Sequence, residues 1–245
     1  MPVVSIDLAY RSYDDFGVAV LESGPSGAVY EVVPLWAGAS RTPEPYKVAD
    51  LAIRICERVG ASVLLLDGPQ GWKDPDNGLT HSRRCERLLN APAKTGLPGT
   101  VKPSNYLPFV TFAVKVFDSL QTRGWDRFDT ATWLLGHHVA VESFPLSAWR
   151  SLQLPALPAK GKAQEADIRR HVTSLVELKL LAAGTLPNHD QLQAVVAGLA
   201  GLAMIGGNLT GYEPVGCSPF ALEGSWREGF IVNPTRSRRP SAAAI

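Results

Sequence analysis

Residues 62–66 read Ser-Val-Leu-Leu-Leu and stop abruptly at Asp67-Gly68-Pro69. A continuous β-branched and leucine run closed by turn residues describes a strand buried on both faces. Such a strand needs cover on each side, so this run commits the chain to layers of helix on sheet. The preceding residues 46–59 place Val48, Leu51, Ala52, Ile55 and Val59 on one helical face, and Gly60 follows as a C-cap. Upstream, residues 3–8 form a second short apolar run, so strand, helix and strand make a crossover unit and a parallel pairing. Between them, residues 17–21 and 28–35 read as two strands joined by the Gly24-Pro25-Ser26-Gly27 turn, a hairpin. The expected fold is therefore α/β, a mixed sheet whose first three strands are antiparallel and whose later strands are parallel, flanked by helices.

Further helices are expected over 77–89, 109–120, 164–181 and 189–205, and strands over 130–135, 139–143 and 229–232. The Pro/Gly/Lys-rich stretch 90–108 reads as a long loop able to cover a crevice. The length of 245 residues suits one domain over 1–235, with a basic, small-residue tail at 236–245 expected to be disordered. No apolar run approaches the roughly 20 residues that span a bilayer, and the N-terminus lacks the basic region of a signal peptide. Cys56, Cys85 and Cys217 match no zinc spacing, so free thiols in a reducing, cytoplasmic setting are expected. A net charge of +1 argues against a strongly basic nucleic-acid binder but leaves room for a local basic patch.

Three acids occupy the same kind of place. Asp7 follows the apolar residues 3–6, Asp67 follows 63–66, and Glu142 follows 139–141. Ligand crevices of open α/β sheets form outside the carboxyl ends of the strands. Buried carboxylates gathered there would repel one another unless paired, protonated or bound to metal, and a hard divalent cation such as Mg²⁺ relieves that cost. The plain alternative is that each acid forms a turn or cap, and Asp67 before Gly68-Pro69 is good turn chemistry. Asp190, at the start of the helix over 189–205, is by itself an N-cap or an acid complementing the helix dipole.

Taken in order, Ile6-Asp7-Leu8-Ala9, Leu66-Asp67-Gly68-Pro69, Val141-Glu142-Ser143-Phe144-Pro145 and His189-Asp190-Gln191-Leu192 resemble the domain of unknown function 429 family of predicted nucleases. The ending Glu228-Gly229-Phe230-Ile231-Val232-Asn233-Pro234 fits it as well, so the resemblance runs from about Val3 to Pro234. It implies a ribonuclease-H-like fold and a phosphodiester site holding one or two Mg²⁺ or Mn²⁺ ions on Asp7, Asp67, Glu142 and Asp190. The chain departs from the family at Gln193, where the late helix usually carries a second Asp.

Arg83, Arg84 and Arg87 are candidates for phosphate forks on a helix after Asp67, and Lys160 and Lys162 flank Gly161 in a loop with the same potential. The plain alternative for the arginines is a solvated helix face, and for the two lysines a solvated loop is the simpler reading. His137 and His138 are adjacent in a strand pattern and point to opposite faces, so they do not chelate one ion. Trp72 is a candidate for stacking a base. Three functions stay open: a metal-dependent hydrolase of nucleic acid, a non-catalytic nucleic-acid or nucleotide-binding module with a decayed site, and a phosphotransferase of the actin and sugar-kinase kind. Against the last, the residues after Asp7 are Leu-Ala-Tyr-Arg, without the glycine a phosphate-binding hairpin needs.

Overall fold

A computed structural model describes residues 1–34, 42–133 and 136–236. Strand β1 (Val3–Asp7) pairs antiparallel with β2 (Gly17–Gly24), which pairs antiparallel with β3 (Gly27–Val32). Helix α1 (Pro45–Val59), ended by Gly60 in the left-handed region, returns the chain to β4 (Val63–Asp67), parallel to β1. A long excursion follows, holding α2 (Arg84–Leu88), the small hairpin β5 (Lys94–Thr95) and β6 (Val101–Lys102), and helix α3 (Leu107–Gln121). Then come β7 (Asp126–Arg127) and β8 (Val139–Ser143), with β8 parallel to β4. Helices α4 (Pro145–Ser151), α5 (Glu165–Glu177) and α6 (His189–Ile205) precede the antiparallel pair β9 (Tyr212–Leu222) and β10 (Ser225–Pro234).

The main sheet runs β3-β2-β1-β4-β8-β10-β9, with β7 beside β8. Three antiparallel strands feeding parallel β4 and β8 make the mixed sheet expected from the sequence. Residues alternate between its two faces. Val3, Val63, Leu65, Val139 and Val141 pack against α4, α5 and α6, while Val4, Ile6, Leu64, Leu66 and Ala140 pack against α1 and α3.

Helix α6 is buried on nearly every side. Its approach to the sheet depends on glycine at both partners. A Cβ on Gly198 would meet Leu21 Cδ1 at 2.4 Å, and one on Gly17 would meet the Asp190 carbonyl oxygen at 1.9 Å. Gly17 pairs with Asp7 across β1 and β2, so the bare backbone there lets the first turn of α6 sit beside the end of β1. We expect Gly17→Ala to cost about 3 kcal/mol, the upper end for overpacking, as read by urea denaturation. A loss below about 1 kcal/mol would show that α6 shifts without cost.

Several expectations need correction. The helix over 77–89 is confined to α2, because the residues before it are held in turns: Asn77 Nδ2 donates to Glu228 Oε1 at 2.6 Å, and the Leu79 N–H donates to Asn77 Oδ1 at 2.9 Å. Residues 130–133 form turns, with the Ala131 N–H donating to Asp129 Oδ1, so no strand starts there. The expected strand over 229–232 is the end of a ten-residue β10, and its partner β9 was missed because Pro214, Gly216 and Pro219 break a strand pattern. Leu35, residues 134–135 and residues 237–245 of the tail lie outside the described residues.

Candidate active site

Strand register brings two of the acids together. Ile6 is level with Leu66 across parallel β1 and β4, so Asp7 and Asp67 follow side by side on the face covered by α6. Neighbouring strands lie about 4.8 Å apart, and the two carboxyls share a hydrogen bond. Burial pushes Asp7 well above the usual carboxylate range, with the charges of Asp67 and Asp190 adding to the shift. Burial likewise raises Asp67 to about 7, partly offset by the hydrogen bond from Asp7, with the Glu142 charge adding to the rise. The pair therefore holds a proton that neither acid would keep in water.

The third acid arrives from α6. Asn188 caps that helix, accepting from the Gln191 N–H at 2.9 Å while the Gln191 side chain accepts from the Asn188 N–H at 2.8 Å. Asp190 is thus free of capping duty and close enough to Asp7 to raise its pKa. Burial works to raise Asp190 itself, but hydrogen bonds from His189 and Lys160 outweigh it and hold the carboxyl below its ordinary value. Lys160 Nζ lies 2.5 Å from Asp190 Oδ2 and 2.8 Å from Asp15 Oδ1, and His189 Nδ1 lies 2.9 Å from Asp190 Oδ1.

Glu142 does not join them. Across β4 and β8 it is level with Leu66, whereas Ser143 is level with Asp67. A one-residue offset turns a side chain to the other face, so Glu142 leaves the sheet on the other face, although its charge still raises the Asp67 carboxyl and both residues line one cavity. There its oxygens take a fork from Arg83 Nη1 and Nη2 at 2.7 and 2.6 Å, plus the Gln70 N–H at 3.0 Å. Burial pushes the Glu142 carboxyl up, and Arg83 and Gln70 oppose that shift.

The basic candidates separate in the same way. Arg83 is 1% exposed and also bonds Glu86, so it is no phosphate fork at the surface. Arg84 and Arg87 are exposed on α2, and Lys162 is exposed beside the Lys160 loop. Gln193 accepts from Trp149 Nε1 at 2.8 Å, which ties its amide to α4. Trp72 is buried and bridged to Arg227, so it offers no face for a base. Sequence reasoning missed Asp15, the second partner of Lys160. It also missed buried Arg127, which donates to the Gln70 carbonyl at 3.0 Å and lies 4.6 Å over the Trp226 ring. Neither position shows a pattern in the sequence, because the contacts join distant segments.

The donor set fits a hard divalent cation: Asp7, Asp67 and Asp190 are carboxylates from three elements, and oxygen is what Mg²⁺ and Mn²⁺ prefer. As the side chains stand, a shared proton and the Lys160 ammonium offset part of this charge, and among the described residues no three acids, histidines or cysteines are drawn together closely enough to hold a metal. Occupation by an ion therefore entails loss of the proton and retreat of Lys160. A pH dependence follows. An acid whose folded pKa is raised contributes stability that is full below its unfolded pKa, about 3.9, and is lost as pH rises through the folded value. Metal-free protein should lose stability between about pH 4 and the value of about 7 reached by Asp67. Glu142 shifts in the same direction, so urea titrations should be paired with Asp7→Asn, whose profile should be flatter. Identical profiles would show that the acid pair is not the source.

No protein-family model matches the sequence, and no curated protein matches it. Among solved structures, Thermus thermophilus RuvC is similar, as is T. thermophilus RuvC in complex with Holliday junction substrate. Each has 13% identity and a TM-score of 0.40, covering 85% of this chain and 98% of the other. A likeness this distant says nothing of this chain's chemistry. Among the described residues, no helix is long and apolar enough to cross a membrane.

Proposed function

We propose that the protein is a metal-dependent phosphodiester hydrolase acting on nucleic acid, with Asp7, Asp67 and Asp190 as its Mg²⁺ or Mn²⁺ ligands. The observation that carries this reading is the register that sets Asp7 beside Asp67 at the carboxyl ends of adjacent parallel strands, with a third acid delivered beside them by α6. The resemblance to the domain of unknown function 429 family supports the same activity. When bound, the ion would supply an activated water and charge stabilisation for the leaving oxygen. The chain's own groups hold the site ready: Gly17 admits α6, Asn188 fixes its first turn, and Lys160 neutralises Asp190. Lys160, half exposed, stands at the mouth where it can turn to a substrate phosphate. Buried, unpaired cysteines Cys56 and Cys85 suit a reducing compartment.

The binding-module reading is favoured by two contacts: Gln193 is committed to Trp149, and Lys160 already occupies Asp190. Calorimetric titration with Mn²⁺ separates the two. A hydrolase should bind Mn²⁺ with release of protons, and Lys160→Met should bind it more tightly because a competing cation is gone. No binding by either form would defeat the hydrolase. Weaker binding by Lys160→Met would show that Lys160 orders the site instead of competing in it.

A further inference from the structure

Beside the acid pair lies a cavity of about 230 Å³ whose wall includes Asp67 and the Gly68-Pro69 turn. We propose that this cavity receives one unpaired nucleobase of the substrate, which makes the substrate single-stranded or locally unstacked nucleic acid. The proposal rests on the hydrolase reading for its orientation, since Asp67 belongs to both the cavity wall and the carboxyl pair.

The lining defines what fits. Tyr106, 37% exposed, lines the cavity together with Phe109 and Phe144. Aromatic faces of this kind hold a base by stacking without reading its identity. The charged groups on the lining are already spent. Arg83 is shared between Glu142 and Glu86, and the remaining Glu86 oxygen accepts the Arg83 and Thr95 N–H groups at 3.2 and 2.8 Å. A phosphate or other ion entering there would find no free counter-charge, and its desolvation would go uncompensated. A neutral planar ring suffers no such penalty. Ser143, also on the lining, is 2% exposed and its hydroxyl has no partner among the described residues, so a small side-chain rotation would let a polar ring edge meet it.

Size gives the same answer. Pockets for drug-sized ligands run to roughly 300–1,000 Å³, so this one has room for a ring system and not for a whole nucleotide. The sugar and phosphate of a seated base must stay outside. Asp67 then places the attached phosphodiester against the carboxyl pair. A base stacked within a duplex cannot reach the cavity without leaving its helix, as in other enzymes that extrude bases.

The test uses nucleosides, which carry a base and no phosphate, and omits metal. Amide NMR spectra of the whole protein should shift saturably at residues 91–95 and 106–110 on titration with adenosine or uridine, and ribose 5-phosphate should leave them unmoved. Ala93→Phe, which fills the cavity from its loop, should abolish the shifts. Tyr106→Ala, at an exposed position, should weaken binding about ten-fold. No saturable shift in the wild type, or shifts untouched by both variants, overturns the proposal, as does a stronger response to ribose 5-phosphate. Nucleoside binding by a protein that cleaves nothing would defeat the hydrolase and leave the base pocket standing. Cleavage without nucleoside binding would do the reverse.

Discussion

Replacing Arg83 by methionine should destabilise the protein by about 3–5 kcal/mol, the cost of leaving buried charges without their partner. Arg83 forks Glu142 at 2.6 and 2.7 Å and holds Glu86 at 3.0 Å, and all three side chains are almost wholly buried. Its removal leaves two almost wholly buried carboxylates without their counter-charge, each with only one backbone N–H from elsewhere. Glu142→Gln in the Arg83→Met background should recover part of the loss, because one stranded charge is then gone. Glu142→Gln alone should change Mn²⁺ affinity by less than about two-fold, since both Glu142 oxygens are already engaged by Arg83 and the Gln70 N–H. Urea denaturation and calorimetry read these outcomes. A loss under about 1 kcal/mol for Arg83→Met would mean that the ion pair opens readily, and a larger fall in Mn²⁺ affinity for Glu142→Gln would restore it to the metal site.

Asp7→Asn should abolish cleavage while strengthening the metal-free fold. Losing a partner that merely orients a metal ligand costs 10–100-fold in affinity or activity, so losing a ligand itself should cost at least about 100-fold. Stability should move the other way, because the amide carries no charge to bury and can donate to Asp67 without needing a proton. Relief of a poorly satisfied buried group is of the order of 1–3 kcal/mol, which corresponds to a rise in Tm of a few degrees for a chain of this size. Melting curves at neutral pH, with and without Mn²⁺, report both effects: the variant should melt higher than wild type without metal and gain less from its addition. Equal cleavage by both proteins would remove Asp7 from the mechanism. A lower metal-free Tm for the variant would show that its carboxyl is stabilised in the fold by something other than the shared proton.

The strands carrying the chemistry were legible from composition alone. Residues 62–66 contain nothing that could face water along a whole strand, so β4 had to be central, and the hairpin turn at 24–27 had only one economical pairing. Asp7 and Asp67 were likewise visible as charges ending apolar runs. What spoiled the extension to Glu142 is that the ends of such runs are defined to within a residue or so, while the face of a strand changes at every residue. Glu142 ends its apolar run just as Asp67 does, yet it pairs level with Leu66.

Sequence by itself therefore determined the layered α/β architecture, the order of the first four main-sheet strands along the chain, and two acids at one end of the sheet. These depend on local composition and short-range periodicity, which one segment states without reference to another. Tertiary structure decided which charges keep company. Lys160 reaches across to Asp15 and Asp190, Arg83 turns inward to Glu142 and Glu86, and Gln193 turns to Trp149. Each of these pairings is set by strand register and by how closely α6 and the loop after β4 pack on the sheet. Register and packing are properties of two segments together, so the roles of these charges exist only once the chain has closed on itself.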